Sequence, residues 1–206
     1  MRTFIILSLL LASTSCGLMQ KEHSAKPDIP VDTIKNIIKT MDSDYSPTFE
    51  KAHPNAKRLM NDEFFFSVIE ETAPFGSDDG ADTYAGFKDW RATHGSESPV
   101  QFLHDQIENW GYPQFDIRET SIEKLTPYLK QNDLGIRYMT GIDAAIVATA
   151  FGQLYLEGSI DHDIKDLAKV SIKRELSPGI LKLWEEHADA RQTKLNRLMK
   201  VLDDVK

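Results

Sequence analysis

Apolar residues recur every three or four positions along most of the chain, which is the spacing of amphipathic helices. This pattern predicts helices at residues 31–41, 54–60, 84–94, 99–110, 121–131, 141–157 and 161–176. Residues 114–118 are expected to form a brief strand, and the apolar run at residues 64–69 is compatible with either a strand or a helix. We therefore predict a mainly α, single-domain helical bundle of about six to eight helices, with at most a short strand or two.

Cap residues support several of these boundaries. Ser98-Pro99 is typical of a helix start, with a side-chain oxygen at the N-cap and proline at the first helical position. Gly111 and Gly158 follow the last apolar residues of two helices, where glycine commonly ends a helix.

The C-terminal third gives the clearest pattern. Residues 141–157 are hydrophobic nearly all round and rich in Ala and Gly, which predicts a helix at the centre of the bundle. Ser177-Pro178 is expected to open a single long helix that ends near Val205 and spans about 40 Å. Its apolar face is formed by Trp184, Ala188, Arg191, Leu195, Leu198 and Leu202.

The N-terminal segment has the features of a signal peptide. Arg2 supplies a positive charge, and residues 4–12 form an apolar run that would span about 14 Å as a helix. That length is less than half of a bilayer core, so the run is too short for a transmembrane helix. We interpret residues 1–15 as a signal peptide.

The tetrapeptide S-T-S-C at residues 13–16 resembles the lipobox of bacterial lipoproteins, although Ser13 stands where Leu is usual. This resemblance implies lipidation of Cys16, the only cysteine in the chain. Residues 16–30 are polar, contain two prolines and are expected to form a lipidated tether. Residues 31–206 then form the helical domain, and the signal predicts an envelope protein, at the periplasmic side of the outer membrane if the cell is Gram-negative.

Charge excludes one class of partner. The formal net charge is −8, and removing Arg2 with the signal peptide makes it −9. Nucleic-acid binding depends on an excess of Lys and Arg, so we expect no nucleic-acid partner. Attraction to anionic lipid is also unfavourable, so membrane attachment is expected through the lipid on Cys16.

Two stretches resemble a family of bacterial proteins typified by YfeS. These are H-P-N-A-K-R-L-M-N-D-E-F-F-F at residues 53–66, followed by A-P-F-G-S-D-D-G-A-D-T, and A-T-A-F-G-Q-L-Y-L-E-G-S-I-D at residues 148–161. The resemblance covers roughly residues 53–202 and implies a shared helical fold without an established activity. Members of this family are usually cytoplasmic, so the signal peptide is a departure.

An acidic loop is the main candidate site. It contains Glu70, Glu71, Asp78, Asp79 and Asp82 within thirteen residues. Carboxylates at this density suit a hard cation such as calcium, although the spacing is not that of an EF-hand. They also suit a partner-binding face, and Ser77 or its acidic neighbours suit a helix N-cap. All three interpretations stay open.

Candidate catalytic groups are sparse. His94 and His104 flank the Ser98-Pro99 turn and could approach Asp82 or Asp89. The sequence contains no zinc motif, nucleophile elbow, Walker A motif or dinucleotide-binding motif, and we expect no cofactor.

We therefore expect a membrane-anchored, non-catalytic binding module with a protein partner, resembling an immunity protein. The expected surface comprises the acidic loop (Asp78, Asp79, Asp82) and Trp90. The alternative is a metal-dependent envelope hydrolase that uses these three aspartates with His94 or His104.

Overall fold

The computed structural model describes residues 45–131 and 134–206, and the regular structure within these ranges is helical, without strands. The mainly α fold class is confirmed. The predicted signal peptide, Cys16, the tether and the helix at residues 31–41 lie outside the described residues. The helices are α1 (Pro54–Leu59), α2 (Asp78–Thr93), α3 (Pro99–Trp110), α4 (Ile122–Leu129), α5 (Gly135–Glu157), α6 (His162–Glu175) and α7 (Ala188–Asp204).

Helix α5 occupies the centre of the bundle, as its hydrophobic circumference predicts. It packs most extensively against α2 and α6, and also against α1, α3 and α4. A Cβ atom at Gly152 would lie 3.2 Å from the ring of Phe87 and 3.3 Å from that of Tyr84. The small residue therefore allows α2 to approach α5 closely. Among the described residues α5 is also the one helix long and apolar enough to cross a membrane, but 83% of its apolar window is buried inside the bundle.

Polar caps and glycines set the helix ends. The Ser98 hydroxyl accepts a hydrogen bond from the backbone N–H of Val100 at the start of α3, as predicted. Gly111 ends α3 with φ of +65°, and Gly158 ends α5 with φ of +77°. At Gly158 an added Cβ would also lie 2.0 Å from the His53 ring, so glycine is required there for two reasons.

The prediction of one continuous helix from Ser177 to Val205 is wrong. A single turn at Pro178–Leu181 is followed by a 3₁₀ segment, Lys182–His187, in which Glu185 has φ of 47° and ψ of −122°. Only then does α7 begin, so the long C-terminal helix has 17 residues. In a straight helix Trp184 and Arg191 would be about 10 Å apart along the axis. The break instead brings the Arg191 guanidinium to 3.8 Å from the centre of the Trp184 ring.

The strand predicted at residues 114–118 is also wrong. The backbone carbonyl of Ile117, which a strand would pair with another strand, instead accepts a hydrogen bond from the Arg174 guanidinium, and so does the carbonyl of Glu119 just after this segment. That guanidinium also pairs with Asp143 on α5, and neither side chain of this ion pair is exposed. A buried arginine thus holds the segment before α4 in an irregular conformation and satisfies its carbonyl groups.

The apolar run at residues 64–69, which the sequence left open between strand and helix, divides into two parts. Its first half belongs to a 3₁₀ helix, Glu63–Phe66, with Phe65 in the core. Its second half is exposed, because Val68 and Ile69 have relative accessibilities of 48% and 88%. These two exposed apolar residues lie beside the cleft described next.

Candidate binding cleft

A cleft of about 470 Å³ lies between α5, α7 and residues 68–79. One face of α5 forms part of its wall, since the lining residues of this helix are separated by steps of one or three positions. The α5 residues are Arg137, Thr140, Gly141, Ala144 and Val147, and α7 adds Arg191, Leu195 and Leu198. The volume is within the range of ligand-binding sites in proteins.

The apolar part of the cleft continues onto the surface. Ala144, Val147, Leu195 and Leu198 line the interior, and the exposed Ile69 lines the cleft as well. An isoleucine side chain that is 88% exposed contributes nothing to the hydrophobic core. Together with Val68, which is 48% exposed, it forms a small apolar surface beside the cavity.

The first ion pair of the cleft joins α2 to α5. Asp79 is 6% exposed, accepts a hydrogen bond from Arg137, and accepts a second one of 2.8 Å from the Tyr112 hydroxyl. A Cβ atom on Gly141 would lie 2.8 Å from the Asp79 carboxylate, so the glycine leaves room for this group. Burial raises the pKa of Tyr112, and its hydrogen bond to the Asp79 carboxylate raises it further.

The second ion pair joins α6 to α7. The Arg191 guanidinium donates two hydrogen bonds to Glu175 and a third, of 3.3 Å, to the Thr72 hydroxyl. Burial raises the pKa of Glu175, and the positive charge of Arg191 acts in the opposite direction. The Trp184 ring covers the guanidinium at 3.8 Å, an arrangement that favours a cation. The Trp184 indole N–H is buried and has no hydrogen-bond partner among the described residues.

The segment before α2 is held against α7. Glu70 pairs with Lys194 at 2.7 Å. Burial raises the pKa of Glu70, but the hydrogen bonds from Lys194 and Thr72 and the charge of Lys194 together lower it below its ordinary value. Gly76 lies directly over this turn, where a Cβ atom would be 1.9 Å from the Glu70 carbonyl oxygen. A side chain at Gly76 would therefore displace the segment that carries Ile69.

The structure separates the residues of the predicted site. Asp78 and Asp79 line the cleft, with Ser77 as the N-cap of α2, whereas the exposed Asp82 is not part of its lining. Trp90 is near the opposite end of α2 and stacks on His94 with ring centres 4.7 Å apart. His104 is exposed on α3. Within residues 45–131 and 134–206, no group of three or more His, Cys, Asp and Glu side chains is placed to hold a metal ion.

Sequence reasoning missed Arg137, Glu175 and Trp184 as parts of the cleft. Arg191 gave a usable signal, because it occupies a position on the apolar face of α7. A charged residue at such a position predicts a buried partner. The sequence gives no indication of which carboxylate that partner is, since Glu175 belongs to a different helix.

The described part of the chain is a helical bundle with a cleft between its helices. The chain is 24% identical over 157 residues to the uncharacterized protein YfeS of Escherichia coli (strain K12), which covers 75% of this chain. The chain spans 60% of the length of that relative. This similarity confirms the predicted resemblance to the YfeS-like family. No protein-family model and no solved structure matches the chain.

Proposed function

We propose that the chain is a lipid-anchored, non-catalytic binding module of the bacterial cell envelope, and that the cleft is its protein-binding site. The observation that carries this proposal is the continuity between the 470 Å³ cleft and the exposed Ile69. Binding sites combine an apolar cavity with a few fixed polar groups. The two ion pairs that join the helices around the cleft supply such groups.

The lipid anchor rests on the sequence. The S-T-S-C motif implies a lipid on Cys16, and the polar tether at residues 16–30 would separate the domain from the membrane. Its partner would then be an envelope protein, as in an immunity-type interaction.

Only part of the surface that we expected from the sequence lies at the cleft. Asp78 and Asp79 lie at the cleft, while Trp90 is about 17 Å further along α2. Trp90 is also in contact with Phe87, Phe102 and His94, so much of its ring is used in packing. We therefore assign binding to the cleft end of α2.

The test is photo-cross-linking in intact cells. A photoreactive amino acid at Ile69 is expected to form one discrete protein adduct, and the same group at the exposed His104 on α3 is the matched control. Filling the cleft with Ala144→Trp should abolish the Ile69 adduct. Cys16→Ala should reduce its amount, because the protein loses its concentration at the membrane.

An adduct that persists with Ala144→Trp would contradict the assignment to the cleft. Equal amounts of adduct from Ile69 and His104 would show that the cross-link reports only non-specific proximity. This result would also contradict the assignment to the cleft. The adduct band is isolated and identified by mass spectrometry, and the reciprocal cross-link from the identified protein completes the test.

The alternative function, a metal-dependent hydrolase, has a direct test. Along α2, Asp82 and His94 are about 18 Å apart, which is too far for ligation of one ion. We expect metal analysis of the purified protein to give no stoichiometric ion. One equivalent of zinc or calcium that is lost in Asp78→Asn would favour the hydrolase.

A further inference from the structure

We infer that the cleft binds a basic, amphipathic peptide segment of the partner. Apolar side chains of this segment would occupy the cleft, and its cationic side chains would meet Glu71 and Asp78. This inference rests on the proposed function and specifies the chemistry of the ligand.

Charge determines the basic character of the segment. Four carboxylates and two guanidinium groups line the cleft, which leaves a formal charge of −2. Both guanidinium groups are already paired, Arg137 with Asp79 and Arg191 with Glu175.

The two remaining carboxylates belong to Glu71 and Asp78. Both side chains are exposed, and no ion pair within the described part of the chain engages them. Opposite charges on two surfaces steer association and select among partners. An acidic segment would meet these carboxylates without an available cation, so the cleft discriminates against it.

The amphipathic character follows from the apolar lining. Ala144, Val147, Leu195 and Leu198 offer no charged group to a ligand, and Ile69 extends this surface outwards. A partner that covers Ile69 removes from water a side chain that is now 88% exposed. Lysine side chains alone would leave this apolar surface without a partner, so leucine-like side chains are required as well.

Trp184 and Glu185 are two energetically unfavourable features at the border of the cleft. The Trp184 indole N–H is buried without a partner, and a buried donor in this state has a free-energy cost. The neighbouring Glu185 has a φ of 47°, a conformation rarely adopted by non-glycine residues. Strained backbone of this kind clusters at sites that clamp ligands. Their location supports placing the bound segment in this cleft.

The test uses a leucine–lysine peptide and a leucine–glutamate peptide with the same helical pattern. The purified full chain, in nanodiscs of zwitterionic lipid, is labelled with 5-fluorotryptophan at its three tryptophans. The fluorine signal that disappears in Trp184→Phe is the signal of Trp184. Because Trp184 lines the cleft, this signal responds to peptide in the cleft and not to peptide bound to lipid. We expect the lysine peptide to shift this signal and the glutamate peptide to leave it unchanged.

Matched variants separate the cleft from the general acidity of the chain. Glu71→Gln with Asp78→Asn should weaken binding of the lysine peptide by about fivefold, since exposed ion pairs are individually weak. Glu108→Gln with Asp163→Asn removes two exposed charges elsewhere and should leave binding unchanged; Asp163, like Asp78, lies in the first turn of a helix.

Equal shifts by the two peptides, or equal losses in the two double variants, would overturn the inference. The absence of a shift with either peptide would overturn it too. If the Ile69 adduct still forms in cells in these cases, the proposed binding function stands and only the ligand class is wrong. Loss of both results would overturn the proposed function as well.

Discussion

Among the buried arginines that pair with a carboxylate on another helix, Arg174 and Arg191 have contrasting surroundings. Arg174 and Asp143 have no exposed side-chain surface, and the remaining Arg174 N–H groups donate to backbone carbonyls and to Ser171. The side chains of Arg191 and Glu175 are 9% and 6% exposed and line the cleft, next to an indole N–H without a partner. We call the first region the sealed pair and the second the cleft pair.

The comparison separates an ion pair that is enclosed by the protein from one that borders a cavity. The sealed pair is satisfied by the protein itself, so its polar groups are available only to the fold. The cleft pair borders a cavity that a ligand can fill. The same chemistry therefore stabilises the fold in one region and lines the cleft of the proposed function in the other.

The largest expected effect comes from breaking the sealed pair. Asp143→Ala leaves the Arg174 charge buried without a carboxylate and should lower the free energy of unfolding by about 3–5 kcal/mol. Urea denaturation measures this loss. Asp143→Leu combined with Arg174→Met removes both charges and should restore part of the stability. A loss below 1 kcal/mol for Asp143→Ala, far under the range for a buried ion pair, would contradict the sealed environment.

A smaller effect is expected from the cleft pair. Arg191→Met leaves Glu175 unpaired, but water in the cleft can hydrate this carboxylate, so the loss should be about 1–3 kcal/mol. The same urea experiment compares it with Asp143→Ala. Equal losses for the two variants would show that the cleft offers no solvation and would remove the distinction between the regions.

The strain at Glu185 should give a gain in stability. Glu185→Gly relieves a positive φ and is expected to raise the free energy of unfolding by about 1 kcal/mol. Glu186→Gly is the matched control, because Glu186 has no positive φ, and it should be destabilising. Thermal unfolding of both variants measures the difference. A loss in Glu185→Gly would show that the break in the C-terminal segment is unstrained.

The smallest expected effect is the pH dependence of stability that comes from the raised pKa values of two tyrosines. Burial raises the pKa of Tyr128 to about 12, with additional contributions from Tyr138 and from Asp143 of the sealed pair. Burial and Asp79 raise the pKa of Tyr112 beside the cleft. Since both folded-state pKa values exceed the ordinary value of 10, the contribution of each tyrosine to stability is present below pH 10 and is lost as the pH rises through its folded-state pKa, which is about 12 for Tyr128.

Tyrosinate absorbance measures these titrations. Tyr128→Phe should remove the component that titrates near pH 12. Asp79→Asn should lower the pKa of Tyr112 towards 10 and leave the Tyr128 component unchanged. A simultaneous change of both components would indicate that the sealed and cleft regions are coupled.

The helical elements were largely predictable from local signals. Gly158 was identified as a helix end and Ser98 as an N-cap, because the glycine conformation and the serine hydrogen bond each involve only a few neighbouring residues. The central position of α5 followed from its hydrophobic circumference. The candidate site was predicted only in part: of the singled-out residues, Asp78 and Asp79 line the cleft, and Asp82 and Trp90 do not.

The sequence by itself determined the helical class, the helix caps and the central helix, because periodicity and capping act over one or two turns. Tertiary structure alone decided the break at Glu185 and the cleft. Asp79 and Arg137 are 58 residues apart, and Thr72 and Arg191 are 119 apart. Which charged groups meet across such separations depends on how the helices pack, and no local pattern contains that information.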